Sequence, residues 1–255
     1  MGPENYSSEK AKGGELVNLS SASMAGASQA PVRLSVVEGY RLWSQTYDLE
    51  LNPLLALELR TLSPKLGDLS GKVFLDVACG TGRWMTEASS RGARTFGLGL
   101  CSEMLAVASG KPRLAGCLMQ ADSRSLPLRD KFADIVMCSF SVGYVQPLGR
   151  VVRELWRVTR PGGTVLISDF HPAAHQEGWR RSFRSGSGVF EIESYRYSAD
   201  QLVAAGQEAG MRLREMLEPR LGEPERRIMR DAGKQDLVDQ VSAIPAVLIL
   251  EWERG

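Results

Sequence analysis

The spacing of apolar residues along this chain changes character several times, and each change marks an element. Val73-Phe74-Leu75-Asp76-Val77 is an apolar run interrupted by one acid, the pattern of a strand buried on both faces. A helix follows near 82–90, a strand at 94–99, a helix from Ser102 to about Ser109, and a strand near 115–120. Another strand covers Ala133–Ser139. Pro147 then opens a helix whose Leu148, Val151, Val152 and Leu155 recur at i, i+3, i+4 and i+7. Arg160-Pro161-Gly162-Gly163 stops it, and 164–169 is a further strand. Strands alternating with helices over short connections predict a parallel sheet covered on both faces. Beyond this region the pattern predicts a helix at 199–209, a strand near 211–217, a charged helical stretch at 223–241 and a last strand at 246–251. Upstream, Asn52-Pro53 starts a helix carrying Leu54, Leu55, Leu57 and Leu59.

The first strand ends on Asp76 and runs into Cys79-Gly80-Thr81-Gly82. Glycines at such a turn accept positive φ and let a ligand approach the backbone. A dinucleotide fingerprint would need a third glycine where Met85 stands, and the lysine of a nucleoside-triphosphate loop is missing. The remaining composition narrows the function further. Among 255 residues, 31 Lys and Arg face 30 Asp and Glu, a balance that gives no electrostatic basis for nucleic-acid or membrane-surface binding. No apolar run approaches the ~18–20 residues that span a bilayer. The four cysteines form no C-x-x-C pair and have no histidine cluster beside them, so they read as reduced thiols of a cytoplasmic protein, with no metal. Residues 1–30, rich in Ser, Gly, Ala, Lys and Glu without periodicity, read as a disordered tail with neither signal nor transit character.

The acid and two-glycine turn, Met119-Gln120-Ala121-Asp122-Ser123, Phe132 with Asp134-Ile135-Val136, and Arg157-Val158-Thr159-Arg160-Pro161-Gly162-Gly163 follow one another in an order that resembles the class I S-adenosylmethionine (SAM) methyltransferases. The closing 244–252 strand and the charged helix before it are similar to the type-11-like, small-molecule members. The resemblance implies a three-layer α/β/α, Rossmann-like, seven-stranded sheet of order 3-2-1-4-5-7-6, mostly parallel, with the last strand antiparallel. It implies a domain over 71–255 with an acceptor-side insertion at about 171–198, preceded by a helical cap at 31–70. It further implies transfer of a methyl group from SAM, leaving S-adenosylhomocysteine, to a small-molecule acceptor by a monomer or homodimer. Asp76, with Ala78, Gly80 and Gly82, would face the methionine end of the cofactor. Asp122 and Ser123 would take the adenine, and Cys138 and Ser139 would lie beside the cofactor.

Gly99 and Leu100 are expected at the cofactor ribose, where the family pattern places an acid at position 99. Each hydrogen bond to a charged acceptor contributes roughly 1.5–3 kcal/mol. Losing the pair weakens binding by about tenfold to more than a thousandfold, unless water, Ser102 or Glu103 substitutes. A non-catalytic protein of the same fold, with a degraded cofactor site, is the alternative reading. Tyr40-Arg41-Leu42-Trp43 through Tyr47-Asp48 resembles a segment that closes over the cofactor with Tyr40 and Tyr47; packing of an amphipathic helix is the plainer reading of the same residues. His171 and His175, the only histidines, follow the strand ending at Asp169, so all three are candidate proton acceptors. Trp179, Arg180, Arg181, Phe183 and Arg184 then read either as a lid over an anionic or flat acceptor or as a solvated face.

Overall fold

The computed structural model describes residues 31–49, 51–186 and 188–255; the tail expected over 1–30 lies outside them. In chain order the elements are β1 (Val32–Leu34), α1 (Val36–Trp43), α2 (Pro53–Leu66), β2 (Val73–Val77), α3 (Arg83–Ser90), β3 (Arg94–Gly99), α4 (Ser102–Ser109), β4 (Leu118–Gln120) and β5 (Ala133–Ser139). There follow α5 (Leu148–Val158), β6 (Thr159–Phe170), α6 (Pro172–Gln176), β7 (Ser182–Ser185), β8 (Gly188–Ile192), α7 (Ala199–Glu208), β9 (Met211–Leu217), α8 (Glu223–Asp231), α9 (Val238–Ser242) and β10 (Val247–Arg254).

Seven strands form one sheet in the order β4-β3-β2-β5-β6-β10-β9, and β10 runs antiparallel to both its neighbours. Counted along the sheet's own strands this is 3-2-1-4-5-7-6, the order the resemblance implies. All five residues of β2 are buried, which explains why an unbroken apolar run belongs at the centre of the sheet. One layer of core lies between β2, β5, β6, β10 and helices α5 and α7, with Leu75, Val136, Val152, Leu155 and Trp252 in it. The opposite layer packs α2, α3 and α9 on the other face through Leu57, Leu62, Phe74, Trp84 and Val241. Helix α5 buries the leucine and valine stripe read from its sequence.

Three local expectations need correction. Strand β6 begins at Thr159 rather than 164, because Pro161-Gly162-Gly163 makes a bulge within the strand, with Gly162 at φ +73°, instead of a loop. The charged stretch 223–241 is two helices and a 3₁₀ turn, broken after α8 where Gly233 takes φ +72°. The segment before α2 is not wholly helical: β1 pairs in parallel with β8, and β8 pairs antiparallel with β7, in a separate three-stranded sheet. That sheet joins the N-terminal segment to the insertion after β6, and Trp43, Phe183 and Ile192 form a small core beneath it.

Candidate active site

Strands β2 and β5 are adjacent, yet the chain leaves β2 toward β3 and leaves β5 toward β6, so a crevice opens beyond their carboxyl ends. A cavity of about 250 Å³ occupies that place. Two non-glycine residues at its rim hold left-handed backbone, Ala78 (φ +64°) after β2 and Phe140 (φ +48°) after β5, and both wall the cavity. Such conformations cost about 1–3 kcal/mol each and persist where the surrounding structure enforces them, commonly at functional sites.

Ten of the residues singled out from the sequence wall this cavity: Tyr40, Tyr47, Asp76, Ala78, Gly80, Gly99, Leu100, Asp122, Ser123 and Ser139. Gly80 (φ +55°) makes the turn and leaves its Cβ direction almost open, with only the Met104 methyl at 3.5 Å. Asp76 is 2% exposed, and its carboxylate makes no hydrogen bond among the described residues. Burial pushes its pKa up to about 8, against the pull of the nearby Arg83 guanidinium and with a push from the Glu58 carboxylate. Asp122 is held by its neighbour: Arg124 donates through Nε to both carboxylate oxygens at 3.0 Å, and its backbone N–H donates at 2.8 Å. That pairing keeps the Asp122 carboxyl below its ordinary range.

The N-terminal segment is tied over the glycine turn by Asp48, which accepts from Thr81 Oγ1 at 2.7 Å and pairs with Lys111 Nζ at 2.7 Å. This seats Tyr47 on the cavity wall, while Tyr40 meets the Tyr144 hydroxyl at 2.9 Å. Burial raises both phenols, Tyr47 to about 12 and Tyr40 well above the ordinary value, so near neutral pH each is a protonated hydroxyl.

Five predicted site residues lie outside the cavity wall. Gly82 starts α3 in left-handed conformation, and a Cβ there would stand 2.7 Å from Leu114 Cδ1, so it serves the turn and its packing. Cys138 alternates to the other face of β5, where its Sγ lies 3.0 Å from Ser141 Oγ and burial pushes the thiol up to about 12. Asp169 is bound by Arg181 and accepts from the Gly143 N–H at 2.8 Å and the Phe170 N–H at 2.6 Å. His171 caps α6: its Nδ1 accepts from the Ala173 N–H at 3.1 Å, and its Nε2 lies 2.8 Å from Glu218. His175 stacks on Phe170 with ring centroids 5.5 Å apart, and burial, helped by Arg181, lowers its pKa to about 4. Position after a strand end does not say which way a side chain turns, and here the Pro172 helix start turns both histidines away.

Glu58, on α2, escapes a reading based on motifs. Its side chain is fully buried and accepts from Arg83, from Trp84 Nε1 at 3.1 Å, from Ser139 Oγ at 2.8 Å and from Ser168 Oγ. It thereby joins α2 and α3 to the ends of β5 and β6. Arg83 also reaches Ser139 Oγ at 3.2 Å and keeps about a quarter of its side chain open on the cavity wall. The signal that could have found it is an acid at i+4 from Leu54 and i−4 from Leu62, on the apolar stripe of its helix.

Residues 75–167 match the profile of a family described as "Methyltransferase domain". The chain is 33% identical over 115 residues to a malonyl-[acyl-carrier protein] O-methyltransferase of Pectobacterium atrosepticum, a match covering 44% of this chain and 45% of that protein. It is 29% identical over 160 residues to a demethylmenaquinone methyltransferase of Thermobifida fusca, covering 56% of this chain and 66% of that one. The chain thus spans less than half the length of the malonyl-[acyl-carrier protein] relatives it matches. Among solved structures, an S-adenosylmethionine-dependent methyltransferase from Mesorhizobium loti superposes with a TM-score of 0.60 at 20% identity, over 78% of this chain and 98% of that one.

Proposed function

We propose that this chain, whose residues 75–167 match the "Methyltransferase domain" profile, is a class I SAM-dependent methyltransferase that transfers a methyl group from SAM to a small-molecule acceptor. The observation that carries this reading is the Asp76 carboxylate, buried at the head of a glycine turn with no donor of its own. Ionising a carboxyl group here without a partner is costly, which is why Asp76 holds its proton up to about pH 8, and a cationic partner would offset that cost. The ammonium of an amino-acid moiety is the partner it fits, and Gly80 leaves room for one beside the backbone. Asp122 and Ser123 stand on the same cavity wall and would serve as acceptor and backbone donor for a base edge. The Asp122–Arg124 pair is partly open to solvent, so its exchange for a ligand amine costs little.

Gly99 fits less well. It leaves the carboxyl end of β3 without an acceptor, and Glu103 does not replace one: it accepts from Ser102 Oγ at 3.0 Å and Cys101 Sγ at 3.3 Å, and lies off the cavity wall. The cofactor hydroxyls would be held without a side-chain carboxylate at this point. That feature supports the second reading, a protein of this fold that holds the cofactor weakly and does not turn over.

SAM, when bound, supplies an electrophilic methyl group on a sulfonium. The protein's part is then to position and to exclude water. Arg83, fixed by Glu58, and Tyr47, fixed through Asp48, close the cavity beside Asp76. With His171, His175 and Asp169 engaged elsewhere, none of them is assigned proton transfer.

Calorimetric titration with S-adenosylhomocysteine tests the reading, using the natural protein, Asp76→Ala and Gly99→Asp. Micromolar binding that Asp76→Ala abolishes is expected. Gly99→Asp is sterically mild, its Cβ lying 3.1 Å from the movable Leu105 Cδ2, and is expected to tighten binding by about tenfold or more. Binding by Gly99→Asp alone would favour the non-catalytic reading.

A further inference from the structure

A second, smaller cavity of about 50 Å³ shares the walls formed by Tyr40, Tyr47, Leu55, Phe140 and Tyr144 with the first. Its own walls are contributed by Trp43, Phe170, Arg180, Arg181 and Ser182, the last three from the insertion after β6. Three buried polar atoms on these walls are unsatisfied in the protein alone. Trp43 Nε1 and Ser182 Oγ are buried without a hydrogen-bond partner among the described residues, on side chains that are themselves more than nine-tenths buried, and so is Arg181 Nε. Buried donors without partners cost about 1–3 kcal/mol each and call for an explanation.

The charge is also unbalanced. Arg181 is matched by Asp169, and its guanidinium lies 4.4 Å from the Tyr144 ring centroid and 4.6 Å from that of Phe170. Arg180 has no such match: among the described residues it forms no ion pair, and its only hydrogen bond is to the Trp179 carbonyl at 3.0 Å. Burial and the Arg196 and Arg33 guanidiniums press on its charge, relieved only in part by Glu191, so its pKa is lowered. An anion entering here would meet the unpaired Arg180 guanidinium between aromatic walls, and a small shift of the Trp43 or Ser182 side chain would bring an orphaned donor to it.

We infer that this second cavity receives the methyl acceptor, and that the acceptor is a small planar organic acid whose carboxylate lies against Arg180, Ser182 and Trp43. The inference rests on the methyltransferase reading for the word acceptor, while the anion site stands on the cavity's own residues. The aromatic walls shared with the first cavity would place a flat ring beside Tyr40 and Phe140, next to the proposed methyl donor. An uncharged analogue of the same shape would lack the charge-assisted hydrogen bond to Arg180 and bind less well.

The test is calorimetric and saturation-transfer NMR titration with benzoate and with benzamide, each with and without saturating S-adenosylhomocysteine. Benzoate is expected to bind at least tenfold tighter than benzamide. Arg180→Gln should weaken benzoate at least fivefold while leaving benzamide unchanged, and Arg180→Lys should restore part of the loss. Ser182→Ala provides a separate readout: removing an orphaned hydroxyl should leave Tm unchanged or raised, while weakening benzoate about threefold or more. Equal affinity for the two compounds, no saturable benzoate binding, or indifference to Arg180→Gln in a folded protein would overturn the inference. Should S-adenosylhomocysteine fail to bind while benzoate retains its advantage, the methyltransferase reading falls and the anion site remains.

Discussion

Replacing Glu58 tests whether the polar hub beneath the cavity holds it together. The side chain is fully buried and accepts from four donors on three other elements. Glu58→Ala leaves the Arg83 guanidinium uncompensated, with Trp84 Nε1 and two serine hydroxyls unpaired. Removing one member of a buried ion pair costs about 3–5 kcal/mol. Because about a quarter of the Arg83 side chain is open to the cavity, the lower half of that range is expected. For a chain of this size such a loss lowers Tm by roughly 6–16 °C, which a urea or thermal denaturation series resolves. Glu58→Gln keeps the shape but sets an amide donor against donors, and should cost about 2–3 kcal/mol. The decisive assay is the double-mutant cycle with Arg83→Met. If Arg83 is what Glu58 serves, the double variant recovers at least ~1.5 kcal/mol relative to additivity. A Glu58→Ala cost below about 1 kcal/mol, or an additive cycle, would refute the assignment.

Two pH dependences follow from the buried titratable groups. Asp76, with its pKa raised by burial to about 8, keeps its proton in the folded protein while the unfolded chain loses it above about 4. Its contribution to stability is therefore full below about pH 4 and is lost as pH rises toward 8; comparing urea midpoints of the natural protein and Asp76→Asn should show the variant gaining on the natural protein with rising pH. An ammonium ligand needs the ionised form, so S-adenosylhomocysteine affinity should rise between pH 6.5 and 8 in the natural protein and stay flat in Asp76→Asn, and a flat natural profile would remove Asp76 from the ligand's partners. His175 has the opposite sign: with its pKa lowered to about 4, chiefly by burial, it stabilises the fold above about pH 6.5 and loses that stability as pH falls toward 4. Its slope approaches 1.4 kcal/mol per pH unit within that window, and His175→Gln should remove it; an unchanged slope between pH 6.5 and 5 would show that the ring protonates freely in the fold.

What the sequence determined unaided is whatever depends on neighbours along the chain. The run 73–77 and the alternation after it specify a buried parallel sheet, because a strand covered on both faces has no polar side to show. The Asp76 and glycine turn is likewise local, since strand, acid and turn are contiguous; the other cofactor-site residues were named through the resemblance to a family, and ten residues from the two sources together wall one cavity. Tertiary structure decided the rest. Glu58 becomes a hub only when α2 brings it to Arg83, Ser139 and Ser168, which lie 25, 81 and 110 residues away. The sheet joining β1 to β8 pairs three-residue and five-residue runs too short to show a period. His171, His175 and Asp169 follow a strand end that faces a crevice, yet a proline-started helix and the Arg181 pair turn them elsewhere. Periodicity says which face of an element is buried; which distant partner meets that face is settled only when the elements pack.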